Sequence, residues 1–191
     1  RSMNLKEDEH PHTGSMGYKE GIKKIPAAAF STESANKLST LLKKNPKSQL
    51  IIEMDCRTLK DKKSYNIIAE TRGINDGVIA FGGHLDSWDK GEGAHDDGAG
   101  IAHCIEALRI LKKIGHKPKY TLRCILFMNE ENGNRGGISY AMSVKKSKEK
   151  HIAALESDAG GFSPRGFRID GSKKQVLAIG KWRAIIENIV L

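Results

Sequence analysis

The chain has 191 residues, 38% hydrophobic and 29% charged, which suits one soluble globular domain and part of a second. Lys+Arg of 32 against Asp+Glu of 23 gives a net charge of +9. The lysines are scattered, and the one dense run (Lys145, Lys146, Lys148, Lys150) reads as a solvated helix end without interleaved aromatics, so neither nucleic acid nor membrane is an expected partner.

No apolar run approaches the ~20 residues that would span a bilayer, and Arg1 to Gly17 is polar, unlike a signal peptide. Three cysteines cannot all pair within the chain, and none has zinc-finger spacing. Cys104 and Cys124 fall on apolar positions, where buried free thiols are ordinary.

Residues 1–46 are set apart. They begin turn-rich (Pro11, Gly14, Gly17, Gly21), and Ser34 to Lys44 reads as a short helix with Ala35, Leu38, Leu41 and Leu42 on one face and Pro46 soon after. From Gln49 the pattern changes. Leu50–Met54 and Tyr65–Ala69 read as an antiparallel strand pair joined by Asp61-Lys62-Lys63-Ser64. Val78–Phe81 is a continuous apolar run, as in a strand buried on both faces. Ile101, Cys104, Ile105, Leu108, Leu111 and Ile114 recur at helical spacing, and Gly115 ends that helix. Tyr120–Met128 reads as a central strand, Gly136–Val144 as a short helix, Ile152–Leu155 and Phe167–Ile169 as strands, and Trp182–Leu191 as an amphipathic helix. The alternation predicts an α/β fold, a three-layer sandwich around a mixed, mostly parallel sheet. In such folds sites gather at the carboxyl ends of strands, and His84, Glu130 and Asp158 each follow a predicted strand.

These residue types suit a site for divalent metal. His84 offers an imidazole, a good zinc ligand. Asp86, two residues on, points the same way in extended chain and can orient the ring through its second nitrogen. Asp96 and Asp97 precede a helix that begins among small residues. Asp97 suits the N-cap, and Asp96 is left to bridge metals through its two oxygens. His95 competes as a ligand but stands beside the bridging position and ranks lower. Glu130 and Glu131 close a buried strand. Glu131 is assigned as a ligand and Glu130 as the base that takes a proton from a water and passes it on. Asp158 would serve the second metal, with Glu156 nearer the strand body. Trp88 either lines the pocket or packs under the loop.

Taken together, Gly83-His84-Leu85-Asp86-Ser87-Trp88-Asp89, Asp96-Asp97-Gly98-Ala99-Gly100, Glu130-Glu131 and Glu156-Ser157-Asp158-Ala159-Gly160 resemble the di-zinc aminopeptidase and carboxypeptidase family. Pro11-His12-Thr13-Gly14 and Lys24-Ile25-Pro26-Ala27 extend the likeness toward the N-terminus. The resemblance implies a partial cap segment over 1–46, the end of a protease-associated insert, and the N-terminal part of a catalytic domain over 47–191. It implies two Zn²⁺ with a bridging water, and hydrolysis of peptides or dipeptides. His84 and Asp158 would share one metal, Glu131 would hold the other, and Asp96 would bridge them. Asp86 would orient His84, Glu130 would be the general base, and the Asp96–Asp97 peptide would be cis. An exported location follows by analogy, and the assembly state, with a homodimer as one option, stays open.

One departure stands out. The family has a final metal-binding His well beyond Asp158, whereas the last of the seven histidines here is His151. The expectation is therefore a chain incomplete at its C-terminus, with weak zinc occupancy and little turnover on its own. Two other readings remain beside the exopeptidase: a single-zinc glutaminyl cyclase on the same scaffold, and a non-catalytic, receptor-like binding module.

Overall fold

The computed structural model describes residues 9–11, 16–57, 59–88, 91–158, 160–162 and 166–187. Its contacts divide the chain into two units, Arg1–Lys63 and Ser64–Leu191. Residues 47–63, assigned by sequence to the catalytic part, fall in the first unit.

The first unit contains one helix, α1 (Thr32–Lys44). It starts two residues before the expected Ser34, because Ser31 is the N-cap and accepts a hydrogen bond from the Ser34 amide at 3.0 Å. Glu33 in the first turn and Lys43 and Lys44 in the last oppose the helix dipole. Phe30, Ala35, Leu38 and Leu42 line a shallow apolar groove along it. The strand expected over 50–54 does not form: Leu50, Ile51, Ile52 and Met54 are exposed, and none pairs with another strand. Apolar alternation signals a strand only where a partner is at hand to complete the ladder. Of the Pro11–Gly14 motif, residues 12–14 lie outside the described residues.

The second unit is built on four strands: β1 (Ile67–Thr71), β2 (Asn75–His84), β3 (Tyr120–Phe127) and β4 (His151–Glu156). Their order is β1-β3-β2-β4. β2 runs parallel to both β3 and β4, while β1 pairs antiparallel with β3, Ile67 opposite Leu126. The partner predicted for residues 65–69 was thus the wrong one.

Helices cover both faces. α2 (Ala99–Lys113) supplies Cys104, which packs with Cys124, Leu126, Phe81 and Leu108. On the opposite face Val78, Ala80 and Ile125 meet Phe127 and Tyr140 of α3 (Arg135–Ser147). The alternation of Cys124 and Leu126 with Ile125 and Phe127 along β3 divides these layers, as the strand period of two requires. This is the expected three-layer α/β sandwich. The strand expected over Phe167–Ile169 does not form, and the segment has no regular structure. The expected terminal helix is realised as α5 (Arg183–Glu187), preceded by α4 (Lys173–Gly180), which the sequence reading passed over. Residues 188–191 lie outside the described residues.

One polar cluster binds the layers together. Arg123 of β3 donates to Glu70 at 2.8 Å, to Glu149 at 2.6 and 2.8 Å and to Tyr140 Oη at 3.1 Å. The Tyr140 hydroxyl in turn lies 2.7 Å from His151 Nε2. Glu149 holds the guanidinium pKa above its ordinary value.

Candidate metal centre

β2 ends on His84, and the chain beyond it folds back over the strand ends. The imidazole is 1% exposed. Its Nδ1 lies 2.7 Å from the Asp86 carbonyl oxygen, an acceptor only, so Nδ1 carries the proton. Nε2 then faces Asp96 Oδ1 at 3.0 Å, Asp158 Oδ1 at 3.3 Å and Glu130 Oε2 at 4.0 Å. His84, Asp96 and Asp158 present donor atoms all within 4.8 Å of one another.

The turn Ala94–Gly98 carries the two aspartates into this cluster, and the Asp96–Asp97 peptide is cis. Asp97 is 1% exposed. Its Oδ2 accepts the His84 amide at 2.9 Å and its Oδ1 the Gly100 amide at 3.0 Å. One buried carboxylate thereby joins the end of β2 to the first turn of α2. Gly83 and Gly100 make room for it, since a Cβ on either would collide with the Asp97 carboxylate. The sequence reading gave Asp97 only the helix cap; its grip on the His84 amide has no signature in the residue order.

Asp86 behaves differently from its expected part. Its carboxylate Oδ1 is 3.9 Å from His84 Nδ1, and the backbone carbonyl orients the ring instead. The carboxylate oxygens accept the amides of Glu130 at 2.9 Å and Glu131 at 3.2 Å. Asp86 therefore positions the turn that bears both glutamates. Asn66 fastens the same turn from the other side, accepting from the Met128 amide at 3.0 Å and donating to the Gly136 carbonyl at 2.9 Å. His95 turns toward the segment after β4: its ring meets Phe162 edge-on at 4.8 Å, and Nδ1 lies 3.4 Å from the Gly161 amide.

The electrostatics are those of crowded carboxylates around one imidazole. For His84, burial opposes the charged ring, but the Asp86 carbonyl, Asp158 and Asp96 outweigh it and raise the pKa to about 9. Burial pushes Asp158 up to about 6; His84 opposes the shift, and Asp96 and Asp97 add to it. Burial and the nearby Asp96 raise Glu131, and burial with Glu130 raises Glu156. Glu131 Oε1 is buried and lacks a hydrogen-bond partner. A cation suits this arrangement. With Nδ1–H committed to a carbonyl, a neutral His84 turns its Nε2 lone pair toward two carboxylate oxygens, a repulsion that only a proton or a metal between them relieves. Nitrogen and carboxylate donors of this kind suit zinc.

A mixed, mostly parallel α/β sheet with a histidine and carboxylates gathered at its strand ends defines a candidate metal-binding domain. The particular family follows from comparison. The pattern that defines peptidase family M28 matches residues 66–188, and the chain belongs to that family. It is 38% identical to carboxypeptidase Q of Homo sapiens over 94% of this chain and 37% of that protein. Among solved structures, the peptidase M28 precursor from Shewanella amazonensis SB2B superposes with a TM-score of 0.69 at 37% identity, over 84% of this chain and 37% of that one. The aminopeptidase from Aneurinibacillus sp. strain AM-1 gives a TM-score of 0.50 at 33% identity, over 60% of this chain and 30% of that one. The chain therefore spans 37% of the length of the carboxypeptidase Q it matches.

Proposed function

We propose that this chain carries the metal-binding part of a zinc-dependent exopeptidase of aminopeptidase or dipeptidase type. The observation that supports it most is the convergence of His84, Asp96 and Asp158 on a space 4.8 Å across, with the protonated face of the imidazole turned away. His84, Asp96 and Asp158 would hold one Zn²⁺, and Asp96 and Glu131 a second. Zinc, when bound, polarises a carbonyl and lowers the pKa of water toward neutrality.

The chain's own residues supply the rest. The Asp86 carbonyl fixes the His84 tautomer, so that Nε2 presents its lone pair. The Asp86 carboxylate holds the Glu130 and Glu131 amides and so sets where both carboxylates point. Glu130, with Oε2 4.0 Å from His84 Nε2, takes a proton from the attacking water and returns it to the leaving amine. Asp97 locks the end of β2 to α2, so His84 and Asp96 cannot drift apart. Residues 1–46 are read as part of a cap, peptides or dipeptides as substrates, and an exported location by likeness to the Shewanella precursor.

The test is metal analysis with a dipeptide-cleavage assay on the full-length protein. Zinc bound in the wild type, lost in His84→Ala and accompanied by hydrolysis supports the reading. Full metal retention in His84→Ala refutes it. A one-metal reading, glutaminyl cyclisation, draws on the single compact trio of donors; one zinc per chain together with pyroglutamate formation would select it.

A further inference from the structure

The parallel strands polarise the second unit. Carboxylates collect at the carboxyl ends of β2, β3 and β4, and their amino ends carry the opposite charge. Four lysines lie between 112 and 119, at the end of α2 and in the connection to β3, and four more lie between 145 and 150, at the end of α3 and in the connection to β4. The sequence shows these as separate runs. The sheet brings them to one rim, because β3 and β4 flank β2: the Asn75 amide donates to the Lys119 carbonyl at 2.8 Å and the Val78 amide to the Lys150 carbonyl at 2.9 Å. Two strand spacings, about 10 Å, therefore separate the two backbones. β1 runs the other way and delivers Arg72 to the same rim, where the Ile74 amide donates to the Pro118 carbonyl at 3.2 Å.

Little opposes this charge locally. All eight lysines are exposed, and none has a carboxylate partner among the described residues. Glu149, within the second run, is committed to Arg123. Glu106 of α2 is committed to Arg109. Asp76 is the acidic residue left at the strand ends. Two isoleucines stand among the cations, Ile114 at 69% and Ile74 at 78% exposure.

We propose that this rim docks on an anionic lipid surface. The choice of partner rests on the mixture. A nucleic-acid groove would pair its cations with exposed aromatic platforms for the bases, whereas Tyr120, the ring beneath Lys119 at 5.5 Å, is half-buried at the start of β3. Exposed aliphatic side chains within a field of lysines instead match headgroup charge with a shallow apolar insertion. The contact would leave the acidic end of the sheet facing away from the bilayer. It is independent of the peptidase reading.

The test is co-sedimentation of the full-length protein with phosphatidylcholine vesicles and with vesicles containing phosphatidylserine. Binding to the anionic vesicles only, weakening with added salt, is expected. Each lysine neutralised near the surface should lower the partition about five-fold, so Lys145→Gln with Lys148→Gln should lower it about thirty-fold, and so should Lys112→Gln with Lys117→Gln. Ile114→Ser should weaken it further without changing the salt slope. Unchanged melting temperatures in these surface variants separate lost binding from lost folding. Equal binding to neutral vesicles, no binding to either, or indifference to both lysine pairs overturns the proposal. Binding to heparin or DNA without vesicle binding also overturns it, and assigns the rim to a soluble polyanion.

Discussion

Asp86→Asn tests how the site is assembled. The carboxylate accepts the Glu130 amide at 2.9 Å and the Glu131 amide at 3.2 Å. An asparagine keeps one acceptor oxygen and sets an NH₂ group against the other amide, so one charge-assisted hydrogen bond is lost and two donors oppose each other. A hydrogen bond to a charged group contributes roughly 1.5–3 kcal/mol. If about 2 kcal/mol of this is felt in the placement of Glu130, turnover falls about thirty-fold. The His84 ring is held by the Asp86 backbone carbonyl, which the substitution leaves in place, so metal held at His84 should stay near wild type and any loss should fall on a second metal, at Glu131. The assay is kcat for dipeptide hydrolysis beside metal per chain in the same full-length preparation. An unchanged kcat, or loss of all bound metal including that at His84, would refute the view that this carboxylate works through the glutamate turn.

Further outcomes follow from the same geometry. Glu130→Gln should lower hydrolysis by about 10²-fold or more while leaving bound metal nearly unchanged; loss of metal would show that base and ligand have been exchanged between 130 and 131. Gly100→Ala places a methyl group against the Asp97 carboxylate and the Ser157 carbonyl, and should cost about 1–3 kcal/mol, read as a lowered Tm; an unchanged Tm would show that the α2–β2 junction yields freely. Metal-free protein should lose stability as pH rises in two windows. His84 binds its proton up to about pH 9 when folded against 6.5 unfolded, so its contribution is complete below pH 6.5 and gone above about 9. Asp158, raised from 3.8 to about 6, adds a loss between those values. Zinc binding near pH 7 should accordingly release the His84 proton, measured by calorimetry in buffers of different ionisation enthalpy; no proton release would contradict the raised imidazole.

Much of the second unit was legible because its signals are local. The apolar run at 78–81 and the helical spacing from Ile101 to Ile114 each satisfy one period, and β2 and α2 follow. Strand pairing is not local, which is why Tyr65–Ala69 was matched with residues 50–54 when its neighbour is β3, over fifty residues on. α4 was readable and missed: Ser172 and Gln175 form a capping box, each side chain bonding the other's backbone, ahead of Val176, Leu177 and Ile179. Arg123, interrupting an apolar strand, was a sign of a buried cation needing carboxylates, but nothing in the residue order named Glu70 and Glu149. At the site, residue types announced a metal centre. Which atom of Asp86 serves His84, and which serves the glutamates, depends on a backbone reversal that spacing does not encode.

The amide of Asn66 bonds to the chain on either side of Glu130 and Glu131, at Met128 and at Gly136, although it lies just ahead of β1, 62 residues before Met128. Its two ends are chemically distinct, one accepting and one donating, so aspartate at position 66 would release the Gly136 carbonyl alone, whereas leucine would release both sides of the turn. Rate tuning therefore extends to a residue that need never meet substrate. A change there, just ahead of the outer strand, would alter the rate through the placement of Glu130 while leaving every group in the reaction chemically intact.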